Sequence, residues 1–228
     1  MARADLLIEP TADRAVRTAA DRICAHLRAA VAAKESASIA FSGGSTPTPM
    51  LDVLALQSLP WDRIHVFQVD ERVAPDGHAD RNSTVLCRHL LDRVQTNSYL
   101  MDVTAADLAD AAERYAQQLR AHEPLDVAHL GMGDDGHTAS WPPGASVLHD
   151  HDHDVVMVDT YRGFRRMTIT PRVVDRAGAV LLLVTGADKA PVFGRLLAGD
   201  RSLVASRVIG EHTLVIADEA AVSTRAAG

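Results

Sequence analysis

The chain has 228 residues, of which 47% are hydrophobic and 23% are charged, and its formal net charge is −7. This length fits one domain with a core that needs no disulfide or metal to stabilise it. The net charge, without any lysine and arginine cluster, argues against nucleic acid as a partner. The chain contains no run of about 18 apolar residues, so no membrane span is predicted, and its first ten residues do not resemble a secretion signal. We therefore expect a single domain over residues 1–228 that is cytoplasmic, has no membrane partner, and is a monomer or a small homo-oligomer.

Predicted helices and strands alternate along the chain. Apolar residues recur three and four positions apart between Val16 and Leu27, which predicts a helix. Both cysteines, Cys24 and Cys87, fall in predicted amphipathic helices and are expected to be free thiols. In chain order the predicted elements are helix 11–33, strand 37–41, helix 49–57, strand 64–69, helix 82–94, strand 99–101, helix 105–121, strand 127–130, strands 155–158 and 167–170, strand 179–184, helix 189–198, and strand 213–217, which closes the sheet.

The strands are short and nearly continuous in apolar residues, as in the segment 180–184. Such strands, separated by helices, indicate a mainly parallel sheet covered on both faces, and so a doubly wound α/β fold. Ligands bind such sheets beyond the carboxyl ends of the strands, and each unusual motif of this chain follows a strand. We therefore expect the chemistry to converge on one edge of the sheet.

The strand at 37–41 leads into a glycine turn. Gly43 and Gly44 allow backbone N–H groups to approach an anion, and Ser45 and Thr46 add hydroxyl donors. The turn suits a phosphate, although the same residues could form an ordinary tight connection. It has neither the three spaced glycines of a dinucleotide site nor the lysine of a P-loop, so no nucleotide cofactor is predicted.

Three charged residues, Asp70, Glu71 and Arg72, follow the strand at 64–69. Adjacent charges at a ligand-binding edge are costly unless they are paired or used. They form either a surface turn with an ion pair or part of the site. Arg72 suits a binding role, because its planar and permanently charged guanidinium matches a phosphate or a developing oxyanion.

A glycine-rich segment follows the strand at 127–130 and presents His137 near its tip. Asp135 lies two residues before this histidine. A histidine beside a carboxylate can accept a proton from water near neutral pH, because the carboxylate fixes its tautomer and stabilises the imidazolium. A lone loop histidine is usually an ordinary polar residue, but this glycine frame and carboxylate predict a catalytic one.

Two cations lie at the ends of later elements. Arg166 precedes the strand at 167–170, and Lys189 begins a helix after the strand at 179–184. Each could be a solvated surface charge. Together with the glycine turn, however, they supply what a phosphorylated substrate requires.

Two other kinds of site are disfavoured. His149, His151 and His153 alternate with aspartates, but no convergent set of ligands accompanies them, so we expect a solvated loop and no metal. A serine nucleophile is disfavoured because the chain has no G-x-S-x-G motif.

Taken in order, these motifs resemble the 6-phosphogluconolactonase family, within the group that also contains glucosamine-6-phosphate deaminases. The resemblance implies a three-layer Rossmann-like sandwich and the hydrolysis of 6-phospho-D-glucono-1,5-lactone to 6-phosphogluconate. This is the second step of the oxidative pentose phosphate pathway, and the family needs no metal or organic cofactor. The matching segments are SGGSTP at 42–47, DERVAP at 70–75, H-x-D-x-N at 78–82, GMGDDGHTAS at 131–140, R-x-T at 166–168, LVTGADKA at 183–190 and DEAA at 218–221.

The resemblance also implies roles for individual residues. His137 would be the general base that activates water, with Asp135 beside it. Arg72 would bind substrate or steady charge on the lactone oxygen. The residues expected to bind the phosphorylated substrate are Gly43, Gly44, Ser45, Thr46, Asp70, Arg166 and Lys189.

The chain departs from the family pattern at three places. Trp141 and Pro142 replace the usual Leu-Phe after the histidine motif. The segment 161–165 replaces a proline-rich approach to the R-x-T strand, which leaves the choice between Arg165 and Arg166 open. Arg81 stands where serine is common and could add positive charge near the substrate.

Two alternative functions are weighed against the lactonase. Glucosamine-6-phosphate deaminases carry a glutamate five residues after the histidine, where this chain has Pro142. A non-catalytic sugar-phosphate sensor would need a DNA-binding or partner module, for which the chain offers no segment. Preference between the 1,5- and 1,4-lactone is not decided by the sequence.

Overall fold

The computed structural model describes residues 4–44 and 46–223 and has an α/β architecture. The strands are β1 Asp5–Glu9, β2 Ala37–Phe41, β3 Ile64–Gln68, β4 Asp70–Arg72, β5 Asn97–Ser98, β6 Val127–Gly131, β7 Val155–Tyr161, β8 Phe164–Ile169, β9 Val180–Val184 and β10 Thr213–Asp218. The α-helices are α1 Ala12–Lys34, α2 Thr48–Ala55, α3 Asn82–Leu86, α4 Leu108–Arg120, α5 Pro171–Asp175, α6 Ala190–Leu197 and α7 Glu219–Val222.

Seven strands form one parallel sheet in the order β1-β10-β9-β6-β2-β3-β5. All five residues of β2 and all five of β9 are buried, as expected for strands covered on both faces. Leu181 and Leu183 pack on the face covered by α1 and α2, whereas Leu182 packs on the opposite face with α4. The predicted three-layer Rossmann-like sandwich with a mainly parallel central sheet is confirmed.

A second, antiparallel sheet has the order β4-β8-β7. Its residues Met167 and Ile169 share a buried cluster with Leu130 of strand β6 and with Val69, which directly follows β3. The strands predicted at 155–158 and 167–170 are β7 and β8 of this sheet, which the sequence did not distinguish from the main one. Segment 70–72 is strand β4 of this sheet, not a surface turn.

The edges of the main sheet also differ from prediction. Strand β10 does not close the sheet, because β1 pairs with its outer side from Asp5↔Leu214 to Glu9↔Asp218. The sequence did not predict β1, whose five residues are acidic at both ends and exposed at Leu6 and Ile8. The helix predicted over 82–94 is α3 followed by a π-helical turn at Cys87–Leu91.

Trp141, one of the departures from the family pattern, has a structural position. Trp141 is fully buried, and its indole N–H donates to the carbonyl of Ile169 over 2.8 Å, so it anchors the loop after β6 to β8. Cys24 is buried and Cys87 is half-buried, and both are free thiols. Over the part of the chain that the structure describes, no helix is long and apolar enough to cross a membrane.

His129 lies in the middle of β6 and is fully buried. Its ring packs 5.9 Å from the ring of Phe41, centroid to centroid, and neither ring nitrogen has a hydrogen-bond partner among residues 4–44 and 46–223. Burial disfavours the charged imidazolium and lowers the pKa of His129 to about 3. The folded protein therefore holds this histidine neutral at any ordinary pH.

This histidine makes stability depend on pH. An unfolded chain binds the proton with a pKa of about 6.5, so the contribution is fully present above that pH and is lost as the pH falls toward 3. Between pH 7.5 and pH 5 the wild type should lose about 2 kcal/mol more unfolding free energy than His129→Leu. Urea denaturation at the two pH values measures this difference. The control is His151→Leu at an exposed histidine, which should keep the wild-type loss; equal losses in all three proteins would contradict the prediction.

Candidate active site

One cleft lies at the carboxyl ends of the central parallel strands and has a volume of about 710 Å³, open to solvent. Segments that follow β2, β3, β6 and β9 line it together with β8 of the second sheet. This is the edge where the sequence predicted that the chemistry converges. The residues that line the cleft are Ser42, Gly43, Gly44, Thr46, Pro47, Asp70, Arg72, Asn82, Gly131, Met132, Gly133, His137, Ala139, Arg162, Arg166 and Lys189.

The glycine turn after β2 forms one wall. A Cβ at Gly43 would lie 1.9 Å from Oδ1 of Asn82, so only glycine allows this close approach. Gly44 has a φ of +110°, a conformation that L-residues rarely adopt. Thr46 lines the cleft, and Ser45 lies outside the described residues.

The segment after β6 bends back on itself and presents His137. The N–H of Gly133 donates to the carbonyl of His137 over 2.8 Å, and the N–H of Gly136 donates to the carbonyl of Gly133 over 3.1 Å. Gly136 has a φ of +83° and packs against Leu203. A Cβ at Gly133 would lie 2.1 Å from Nδ1 of His137, so the bare backbone here leaves room for the imidazole.

His137 and Asp135 form a hydrogen-bonded pair. Nδ1 of His137 lies 2.5 Å from Oδ1 of Asp135, and the same oxygen accepts the backbone N–H of His137 over 3.1 Å. Partial burial of Asp135 opposes its ionisation, but hydrogen bonds from Tyr161 and His137 outweigh this and lower the pKa of the carboxyl. The carboxylate therefore stays charged, and its contact with Nδ1 leaves Nε2 as the free nitrogen of the imidazole.

A buried polar network joins β4, β8 and the loop after β6. Asp70 accepts hydrogen bonds from Nδ2 of Asn82 at 2.9 Å and from the hydroxyl of Ser140. Arg166 is also buried and places Nη1 3.3 Å from the Ser140 oxygen and 3.8 Å from the Asp70 carboxylate. Burial lowers the pKa of Arg166, an effect that the nearby Asp70 charge opposes. Arg165 points away and is exposed, so of these two neighbours Arg166 is the one that lines the cleft.

Two further cations line the cleft, Arg72 from strand β4 and Lys189 from the segment that follows β9. Nη1 of Arg72 donates to Oδ1 of Asn82 at 2.5 Å and to the carbonyl of Asp80 at 2.8 Å. Lys189 follows the turn at Gly186, whose φ is +99° and whose N–H donates to Asp218 over 3.0 Å. Asp218 is the first residue of the DEAA segment at 218–221. This segment therefore has a structural role, because Asp218 holds the turn that positions Lys189.

Arg81 does not line the cleft, contrary to the expectation from sequence. It is 5% exposed, and its Nε lies 3.2 Å from Oε2 of Glu71, which is fully buried. Its Nη1 donates to Asp76 at 2.8 Å and to the carbonyl of Ala74 at 3.1 Å. Arg81 is therefore an internal counter-ion, because its charge is paired with the buried carboxylate of Glu71 on β4.

Sequence reasoning missed four residues that contribute to the cleft. Arg162 lines it and pairs with Asp134, while Tyr161 contacts the His137 pair. Both belong to segment 161–165, where the departure from the family pattern was the available signal. Asn82 and Ser140 stood inside quoted motifs, but without coordinates nothing distinguished them from capping or turn residues.

The alternating histidine and aspartate segment lies apart from the cleft. Asp150 accepts the backbone N–H groups of Asp152 and His153 at 3.0 and 2.8 Å. Asp154 is buried and pairs with Arg120 at 3.1 Å and with Arg176 at 2.8 Å. Both carboxylates serve local structure.

The sequence pattern of the family described as "Glucosamine-6-phosphate isomerases/6-phosphogluconolactonase" matches residues 10–216. The chain belongs to this family. Among its members, a 6-phosphogluconolactonase of Synechocystis sp. is 37% identical, over 74% of this chain and 75% of the relative. A 6-phosphogluconolactonase from Mycobacterium tuberculosis is 32% identical, over 95% of this chain and 96% of the relative. The crystal structure of a 6-phosphogluconolactonase from Thermotoga maritima superposes with a TM-score of 0.85 at 27% identity, covering 95% of this chain and 99% of that one.

The buried pair of Arg81 and Glu71 predicts a stability effect. Arg81→Met leaves the Glu71 carboxylate without its counter-ion, and breaking such a pair costs about 3–5 kcal/mol of unfolding free energy. The control variant Arg165→Met removes an exposed arginine and should change the unfolding free energy by less than about 0.5 kcal/mol. Urea denaturation of both variants makes the comparison. A loss under about 1 kcal/mol for Arg81→Met would mean that the pair is not the internal contact described here.

Proposed function

We propose that this chain hydrolyses 6-phospho-D-glucono-1,5-lactone to 6-phosphogluconate, in the oxidative pentose phosphate pathway. One observation carries the proposal: a histidine paired with a carboxylate lies in the same cleft as a glycine turn and the cations Arg72, Arg166 and Lys189. Membership of the family and the names of the relatives support the same reaction.

In this mechanism His137 acts as the general base. Asp135 holds the Nδ1 proton, so Nε2 accepts a proton from water as the water oxygen attacks the lactone carbonyl carbon. The tetrahedral intermediate carries a negative oxygen, which the Arg72 guanidinium stabilises. When the bond to the ring oxygen breaks, that oxygen takes the proton back from the imidazolium, and the base is restored. A lactone is an activated ester, so no covalent intermediate is required.

The phosphate of the substrate binds in the same cleft in this proposal. Gly43, Gly44 and Thr46 offer backbone and hydroxyl donors, and Ser45 belongs to the same turn by sequence. Arg166 and Lys189 supply positive charge, and Asp70 holds Arg166 in place. Binding of the phosphate by these groups orients the lactone toward the base.

The deaminase alternative lacks its acidic group. Pro142 stands five residues after His137, where the deaminases carry a glutamate, and proline has no group that transfers a proton. No observation in the cleft favours that reaction over lactone hydrolysis.

The proposal includes the molecular setting. The enzyme is one domain over residues 1–228, because a single buried cluster contains side chains from both sheets. It uses no cofactor and no metal, and binds a phosphorylated sugar lactone. It works in the cytoplasm, where phosphorylated metabolites are retained, as a monomer or small homo-oligomer. Its net charge of −7 supports the absence of a nucleic acid partner.

The first test follows the decay of freshly generated 6-phosphogluconolactone against its spontaneous rate. Wild type should accelerate the decay, and His137→Ala should reduce kcat by roughly 10²-fold or more, the scale expected for loss of a general base. His151→Ala removes an exposed histidine outside the cleft and should retain wild-type activity. A wild-type rate equal to that of buffer would refute the proposed function.

A second test compares two glycine substitutions. Gly133→Ala places a methyl group where the His137 ring lies, so it should displace the base and lower kcat by about 10²-fold. Gly210→Ala, outside the cleft, meets no atom within 4 Å and should stay within a few-fold of wild type. Lactone assays on both variants, with thermal unfolding to check folding, make the comparison. Equal activities would show that the glycine at 133 is not needed to place the histidine.

A further inference from the structure

The turn between β7 and β8 reaches the His137 pair. Arg162 and Gly163 form its tip with φ values of +50° and +88°, and Tyr161 pairs with Phe164 across it. This is the segment in which the chain departs from the proline-rich pattern of the family. The turn therefore brings to the cleft side chains that the motifs of the family do not supply.

The hydroxyl of Tyr161 contacts both members of the pair. It donates to Oδ2 of Asp135, and its oxygen lies 3.1 Å from Nδ1 of His137. The other carboxylate oxygen, Oδ1, lies 2.5 Å from Nδ1 of the imidazole. Both oxygens of Asp135 thus have a directed partner, which opposes rotation of the carboxylate away from the imidazole.

The phenol ring is held from a second side. The ring centroids of Tyr161 and His137 are 5.3 Å apart at an angle of 84°, an edge-to-face contact. The guanidinium of Arg166 lies 5.5 Å from the centroid of the same ring, and its Nε donates to the Tyr161 carbonyl over 3.1 Å. Since Arg166 is itself fixed by Asp70, the tyrosine connects the buried network of the second sheet to the histidine.

We propose that Tyr161 is a positioning residue that holds Asp135, and through it the imidazole of His137, in the orientation that activates water. This inference rests on the proposed function. The phenol transfers no proton to substrate. It keeps its own proton, shared with Oδ2, while the Nδ1 proton remains directed at Oδ1 and Nε2 stays free for water.

The chemistry of the group fits this role. Partial burial and the hydrogen bond to Asp135 raise the pKa of Tyr161 to about 12, so the phenol remains a neutral donor throughout the working range of a histidine base. Arg162 adds charge on the outer side, with Nη2 3.5 Å from Oδ2 of Asp135 and an ion pair to Asp134. The exposed side of the carboxylate is therefore covered by donors.

The test compares Tyr161→Phe with wild type in the lactone assay. The variant keeps the ring that packs on His137 and Arg166 and loses only the hydroxyl. We expect kcat to fall by about 10-fold, the lower end of what loss of an orienting partner of a functional histidine costs, while KM changes by less than about two-fold. The matched control is Tyr99→Phe, whose hydroxyl contacts His65 and His122 away from the cleft, and which should retain both constants.

A spectroscopic measurement gives an independent readout. In wild type, ¹⁵N NMR of labelled histidine should show the neutral His137 ring protonated predominantly at Nδ1. Tyr161→Phe should increase the fraction protonated at Nε2, since the carboxylate of Asp135 then loses the hydroxyl that holds Oδ2 and is less firmly directed at Nδ1. Tyr99→Phe should leave this signal unchanged.

The outcomes separate the two proposals. Absence of lactone hydrolysis by wild type refutes the proposed function and this inference with it. Active wild type with an unchanged kcat and tautomer in Tyr161→Phe overturns only the positioning role. A rise in KM at constant kcat would also overturn it, because Tyr161 would then bind substrate rather than orient the base.

Discussion

The carboxylate of Glu71 has no exposed surface, and it accepts hydrogen bonds from the backbone N–H groups of Arg72, Asn82 and Ser83 at 2.7, 2.7 and 2.8 Å. A buried charge is tolerated only when donors and a counter-ion surround it, and Arg81 supplies the counter-ion. These contacts tie the start of α3 to β4. Asn82 is thereby fixed, and with it the close approach to Gly43 and the hydrogen bond from Arg72. The geometry of the cleft thus depends on a carboxylate that is not itself exposed to the cleft.

The two consecutive acidic residues of β4, Asp70 and Glu71, contact different groups on opposite sides of the strand. Side chains alternate along a strand, so Asp70 and Glu71 point in opposite directions. Glu71 faces the α3 side, whereas Asp70 faces Ser140 and Arg166. The small antiparallel sheet carries Asp70, Arg72 and Arg166. The parallel sheet supplies the rigid edge of the cleft, and His137 and Lys189 lie in the segments that follow its strands β6 and β9.

Local patterns were enough to predict α1, α2, α3, α4 and α6 and most strands of the main sheet, because buried parallel strands are apolar runs and α1 has a regular apolar face. The short helices α5 and α7 were not predicted. Strand β1 was not predictable, since its pairing with β10 joins residues about 200 positions apart and its side chains are half exposed. The small sheet was missed for the same reason: β4 is three charged residues that become a strand only through Asp70↔Thr168 and its neighbours. At the site, motif position located Arg72, Arg166 and Lys189. It could not tell that Arg81 turns inward, because burial of a cation depends on where its acidic partner lies.

The histidine at the centre of the site is placed by two segments of different character. Its own loop is short-range, with Asp135 two residues away and glycines that leave room for the ring. Both hydrogen bonds from His137 within this loop go to Oδ1 of Asp135, whereas the partners of Oδ2 come from the β7–β8 turn. The β7–β8 turn adds a long-range constraint, since Tyr161 reaches Asp135 across 26 positions and is anchored through Arg166 to the buried network of β4. Orientation of the His137 imidazole therefore depends on packing of the second sheet as well as on its own loop, through a segment in which the chain departs from the family pattern.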